Sequence, residues 1–128
     1  IRLDSQSWTE TRVCSSSFVE LLRTNDYSPI MYTVRQTHQF MQWLSGLKDG
    51  MTRRRLARRL EKAQRGNLGD VKAVGEGVFE MRESFGPGWR MYYVQRGPVL
   101  IVMLGGGEKS SQQADIAAAQ ALAQRIGD

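Results

Sequence analysis

The chain has one cysteine, Cys14, one histidine, His38, and three prolines among 128 residues. A lone thiol excludes a disulfide framework and a thiolate zinc site, and a lone imidazole leaves no Cys/His or Ser/His relay except one built on His38. His38 falls near a predicted helix start, where a surface or capping role is expected. No apolar run approaches the ~18 residues of a membrane span. Nor does a charged leader with an apolar stretch and a small-residue cleavage site open the chain, so the expected compartment is the cytoplasm. Negative charge is also in short supply: 18 Lys and Arg against 13 Asp and Glu give a net charge of +5 and a pI near 9.8. Any chemistry must come from Lys, Arg, Glu, Asp or Tyr.

What is present fits a globular protein: 41% hydrophobic and 24% charged residues, in a chain long enough for one core that buries about two thirds of the unfolded surface. Residues 1–30 hold three of the basic and four of the acidic side chains, so the rest of the chain stands at +6. Lys and Arg that replace condensed counterions gain free energy on any phosphate backbone, and this balance points to a polyanionic partner. Residues 1–30 are rich in Ser and Thr and end in the turn-prone Asn25-Asp26-Tyr27-Ser28-Pro29. Within them only Phe18, Val19, Leu21 and Leu22 form an apolar group, with Ser17 and Glu20 as a capping box for a short helix. The expectation is an appendage or leader over 1–30, outside a core domain over 31–128.

Residues 31–35 read as a strand. Phe40, Trp43, Leu44 and Leu47 then recur at helical spacing, with Thr37 as N-cap and Gly50 as the stop. A second helix is predicted over 52–65, with Leu56, Leu60 and Ala63 inward and Gly66 just past its end; so short a connection makes the two helices antiparallel. From Val71 the pattern changes to strands. Gly75-Glu76-Gly77, Gly86-Pro87-Gly88 and Gly97-Pro98 punctuate an antiparallel meander whose run 99–104 is apolar throughout, as a central strand would be. A glycine-rich turn at Gly105-Gly106-Gly107 leads to a last helix marked by Ile116, Ala119, Ala123 and Ile126, ending at Gly127. The fold class is α+β.

Side chains alternate across a strand. Glu80, Arg82, Arg90 and Tyr92 therefore share one face of the central hairpin, opposite an apolar set of Phe79, Met81, Trp89, Met91 and Tyr93. Two guanidiniums, a carboxylate and a phenol on one open sheet face suit a phosphodiester, because the planar fork of Arg neutralises phosphoryl oxygens. Lys109 follows the glycine run and would project toward the same face; no Walker spacing surrounds it. Arg53, Arg54, Arg55, Arg58, Arg59, Lys62 and Arg65 crowd the second helix with only Glu61 between them, and their i,i+4 repulsion implies an absent anion. Tyr92 is the candidate for base stacking.

Phe40-Met41-Gln42-Trp43-Leu44, Gly66-Asn67-Leu68-Gly69-Asp70-Val71-Lys72, Val78-Phe79-Glu80-Met81-Arg82, Gly86-Pro87-Gly88-Trp89-Arg90-Met91-Tyr92 and the tail from Gly105 through Lys109 to Asp115-Ile116 together resemble the addiction-module killer proteins of the RelE/HigB toxin superfamily. The resemblance covers residues 31–128. It implies a RelE-like fold, with an N-terminal strand and two antiparallel helices packed on an antiparallel sheet and a C-terminal helix. It also implies the toxin of a type II toxin–antitoxin pair, an endoribonuclease that cuts mRNA on the ribosome with no metal or cofactor, held by a helix-turn-helix antitoxin. Arg82 matches the arginine on the scissile phosphate, Arg90 the second sheet arginine, Lys109 the basic residue after the last strand, Lys72 a lysine before the hairpin, and Tyr92 a weaker position. In this reading Arg82, Arg90, Lys109 and Glu80 are catalytic, with Glu80 or a lysine taking the 2′ proton, while Lys72, Tyr92, Arg54, Arg55, Arg58, Arg59 and Lys62 bind RNA. The C-terminal tyrosine of the RelE branch and the histidine of the HigB branch have no counterpart. A gyrase-inhibiting ParE-like toxin and a non-enzymatic basic RNA-binding module remain as alternatives.

Overall fold

The computed structural model describes residues 31–127, and residues 8–10 by their backbone. The elements run β1 (Trp8–Glu10), β2 (Thr33–Thr37), α1 (His38–Ser45), α2 (Gly50–Gln64), β3 (Val71–Gly75), β4 (Val78–Arg82), β5 (Trp89–Arg96), β6 (Leu100–Glu108), a 3₁₀ turn (Lys109–Ser111) and α3 (Gln112–Ile126). The rest of the expected 1–30 appendage, including the capping box at Ser17, lies outside the described residues. Among the described residues no helix is long and apolar enough to cross a membrane.

Thr37 ends β2 and starts α1 in one residue. Its hydroxyl accepts from the Phe40 N–H at 3.2 Å and donates to the Met103 carbonyl at 2.9 Å, tying the helix start to the sheet. The helix stops earlier than predicted, at Gly46. Gly50 is not a stop but the first residue of α2, because Asp49 caps the new helix: its carboxylate accepts from the Thr52 hydroxyl at 2.7 Å and from the Met51 N–H at 3.4 Å. The Thr52 hydroxyl, foremost, holds the Asp49 carboxyl below its usual range. Along α2, Leu56, Leu60 and Ala63 are buried as expected.

The strand order is β1-β2-β6-β5-β4-β3. β3 to β6 form the antiparallel meander, and β6 is central. The sheet as a whole is mixed, a correction to the antiparallel expectation: β2 runs parallel to β6, with Thr33 opposite Leu100. Two helices separate β2 from the meander, so no tight turn forces opposite directions. Trp8–Glu10 pairs antiparallel with β2.

Both faces of the sheet are packed. One carries Val34, Met81, Met91, Tyr93, Ile101 and Met103 against Phe40 of α1 and Leu56, Leu60 and Ala63 of α2. The other carries Val78, Tyr92, Val94, Val102 and Leu104 against Ala119, Leu122, Ala123 and Ile126 of α3. The even-numbered side chains of the hairpin do share a face, since Glu80 pairs with Tyr92 and Arg82 with Arg90. That face does not open into water as expected, because α3 lies across most of it.

Gly105, Gly106 and Gly107 belong to β6 rather than to a turn. A Cβ at Gly106 would overlap the Trp43 ring, and one at Gly107 would overlap the Asp115 carboxylate. These glycines let α1 and α3 approach the strand backbone from its two sides.

Candidate functional site

Two rungs of the β4–β5 hairpin meet different fates. At the inner rung Glu80 and Tyr92 are both fully buried. The Tyr92 hydroxyl donates to Glu80 Oε2 at 3.2 Å, and Gln112, the first residue of α3, donates to the same oxygen at 2.7 Å. Burial, and then the adjacent carboxylate, push the Tyr92 phenol far above its ordinary range. Two expectations are thereby corrected. No base can stack on Tyr92, and Glu80 has no path to a 2′-hydroxyl, because the N-terminal turn of α3 caps them both.

At the outer rung, beyond the start of α3, the side chains reach water. Arg82 is 37% exposed and grips Asp70 with both arms of its fork, Nε to Oδ2 at 3.3 Å and Nη2 to Oδ1 at 3.2 Å. Arg90 is only 11% exposed. Its Nη1 donates to the Glu83 carbonyl at 3.3 Å, while its Nε lies 3.9 Å from Glu80 Oε2, too far for a hydrogen bond. Glu80 therefore serves as a buried counter-charge behind Arg90.

Lys109, exposed, opens the 3₁₀ turn immediately after β6. The turn between β4 and β5 folds back beside it: Gly88 has φ +86°, and a Cβ there would sit 3.2 Å from the Lys109 Cβ. Glycine at 88 supplies both the left-handed backbone and the clearance. Arg82, Arg90 and Lys109 thus line one open cavity of about 370 Å³, together with Asp70, Glu83 and Ser84.

Arg59 has a structural position instead of the expected RNA-binding one. It reaches from α2 beneath the outer rung, where Nη1 donates to the Arg82 carbonyl at 2.9 Å and pairs with Glu83, and Nη2 donates to the carbonyls of Leu68 and Asp70 at 3.0 Å each. Arg54, Arg55, Arg58 and Lys62 are exposed. The Arg55 guanidinium lies 3.8 Å from the centroid of the Phe85 ring, so the basic surface of α2 reaches the hairpin turn. Lys72 is exposed on β3 opposite Glu80, on the edge of the sheet and outside the cavity lining. His38 is the first residue of α1 and also lies outside that lining.

Sequence reasoning missed three members of this lining: Asp70, Glu83 and Ser84. Each sits in a turn, where no periodicity assigns a direction. Among the described residues no group of three or more His, Cys, Asp or Glu side chains could hold a metal ion.

Over 94 residues the chain is 40% identical to a protein of Haemophilus influenzae described as uncharacterized, a match that spans 73% of this chain and 95% of that one. The chain belongs to that protein's family. No protein-family model matches this member of the family, and no solved structure matches it.

Proposed function

We propose that this protein is a RelE-like toxin of a type II toxin–antitoxin pair that cleaves mRNA through its own 2′-hydroxyl. The observation that carries the reading is the convergence of Arg82, Arg90 and Lys109 on one open cavity at the end of the central hairpin. These cations come from three different strands or strand ends, and the exposed bases of α2 continue toward the same turn. In the reaction the 2′-oxygen bonds to phosphorus and the bond from phosphorus to the 5′-oxygen breaks, leaving a cyclic phosphate and a 5′-hydroxyl. Arg82 and Arg90 would neutralise the phosphorane, an effect worth about 10²–10³ in rate for one preorganised donor. Lys109 would give the proton that the departing 5′-oxygen needs. The 2′ proton would pass to a cavity carboxylate, Glu83 or Asp70, in place of the buried Glu80.

The decisive experiment is Arg82→Ala, checked for folding by circular dichroism. Expression should no longer arrest growth or yield cyclic-phosphate ends, and cutting by the parent should persist in EDTA. A variant as inhibitory as the parent would overturn the assignment. A helix-turn-helix antitoxin covering the basic surface is the expected partner, to be sought by co-purification with the product of the adjacent reading frame. The second reading, a basic module that binds RNA without cutting it, draws on the carboxylate already bound to Arg82. Intact transcripts with salt-sensitive RNA binding would favour it.

A further inference from the structure

The backbone that carries the carboxylate on Arg82 is fixed in place by the fold. The Asp70 carbonyl accepts from the Arg82 N–H and from Arg59 Nη2, both at 3.0 Å. The preceding Gly69 turns at φ +71°, where a Cβ would lie 2.9 Å from the Arg59 guanidinium. The turn is thus wrapped around a partly buried arginine, and its last residue presents two oxygens to the fork of Arg82. Both partners remain wet, Arg82 at 37% and Asp70 at 59% exposure. Exposed pairs of this kind add little to stability and are easily exchanged.

The non-bridging oxygens of a phosphate address the same fork in the same bidentate manner as a carboxylate. We infer that Arg82 is a phosphate seat occupied at rest by Asp70, a tethered competitor that any incoming phosphate must displace. This rests on the reading of the cavity as a nucleic-acid site. The displacement penalty is the same for every anion that takes Arg82, so Asp70 sets a threshold and leaves the ranking of ligands unchanged. A single phosphate must overcome it with few other contacts. A polynucleotide spreads it over Lys109 and the exposed bases of α2, and so can occupy the seat at concentrations where single phosphates do not.

The test is a double-mutant cycle on the full chain, using Asp70→Asn, Arg82→Ala and the double variant. Calorimetric titrations at low salt would use two ligands, inorganic phosphate and a short single-stranded RNA. Asp70→Asn should tighten both by the same factor, about two- to fivefold for release of an exposed pair. In the Arg82→Ala background the gain should vanish. A gain that persists without Arg82, or that is much larger for the RNA than for phosphate, would mean that Asp70 acts only through net charge, and would overturn the inference. So would unchanged affinity in Asp70→Asn. If phosphate shows the coupling while the parent neither binds nor cuts RNA, the seat stands and the nucleic-acid reading falls. If the parent cuts RNA but the cycle shows no coupling, the inference falls alone.

Discussion

The rung formed by Glu80 and Tyr92 and the rung formed by Arg82 and Arg90 are neighbours on one hairpin and present their side chains to the same face. The inner rung is sealed in a core. The outer one borders a cavity open to water. What separates them is the point at which α3 begins: Gln112 bonds to Glu80, and the helix covers the sheet from there inward. Two residues of chain are enough to turn the same kind of polar pair from structure into a candidate site. The inner rung also serves the outer one, since Glu80 stands behind Arg90 as its counter-charge.

Truncating the inner rung should therefore cost folding. Tyr92→Ala is expected to lose about 3–5 kcal/mol of unfolding free energy in urea titrations, through lost burial and the cavity left behind. Truncating the outer rung should cost function alone. Arg82→Ala is expected to lower RNA cleavage by about 10²–10³, while stability shifts by less than ~1 kcal/mol, as befits an exposed pair. Comparable stability losses in the two variants would erase the distinction between the rungs. Glu80→Gln keeps the shape and removes the charge, and should destabilise by about 1–3 kcal/mol, because buried polar partners lose their match. Its melting curve should show this before any activity assay does. Farther out on α2, Arg58→Ala should leave stability unchanged. It should flatten the salt dependence of RNA binding by about 0.7 in log–log slope, the share of one phosphate contact on a single strand.

The tyrosines behind the hairpin sharpen the same contrast. Burial pushes Tyr93 up to about 12, and Tyr92 higher still. A raised folded-state value stabilises the protein while the phenol stays protonated, and that contribution is complete below the unfolded value near 10. It should fall away as pH rises from about 10 to 12. The part of the phenolate absorbance that Tyr92→Phe removes should then appear together with unfolding, not before it; its formation in the folded state below that window would show the inner rung to be open to water.

The sequence made much of this arrangement readable, and the failures have physical reasons. Thr37 as cap, the buried stripe of α2, the meander and the central place of β6 each follow from local spacing. Gly50 misled because a glycine between two helices can end one or open the next, and only the Asp49 cap decides. The three glycines at 105–107 have the same composition in a loop as in a strand; what Gly106 and Gly107 do depends on Trp43 and Asp115, which belong to other elements. Parity placed Glu80, Arg82, Arg90 and Tyr92 on one face, but alternation is silent on what covers a face. Val78 and Val94 share that parity, and the apolar side of α3 packs on the face they make. Arg59 looks like its neighbours in the arginine row and is distinguished only by pointing inward, about two and a half turns after the helix begins.

The parallel contact between β2 and β6 has a consequence for how the chain is made. β6 supplies the middle of the sheet and follows the other five strands in the chain, so Thr33 must wait for Leu100 before it gains its partner. Pairings this distant in sequence form slowly, because the loop they close carries a large entropic cost. Before β6 is made, the chain can form its two early helices but has no sheet centre to pack them on. The three cations of the cavity therefore come together only after β6 and Lys109 have been made.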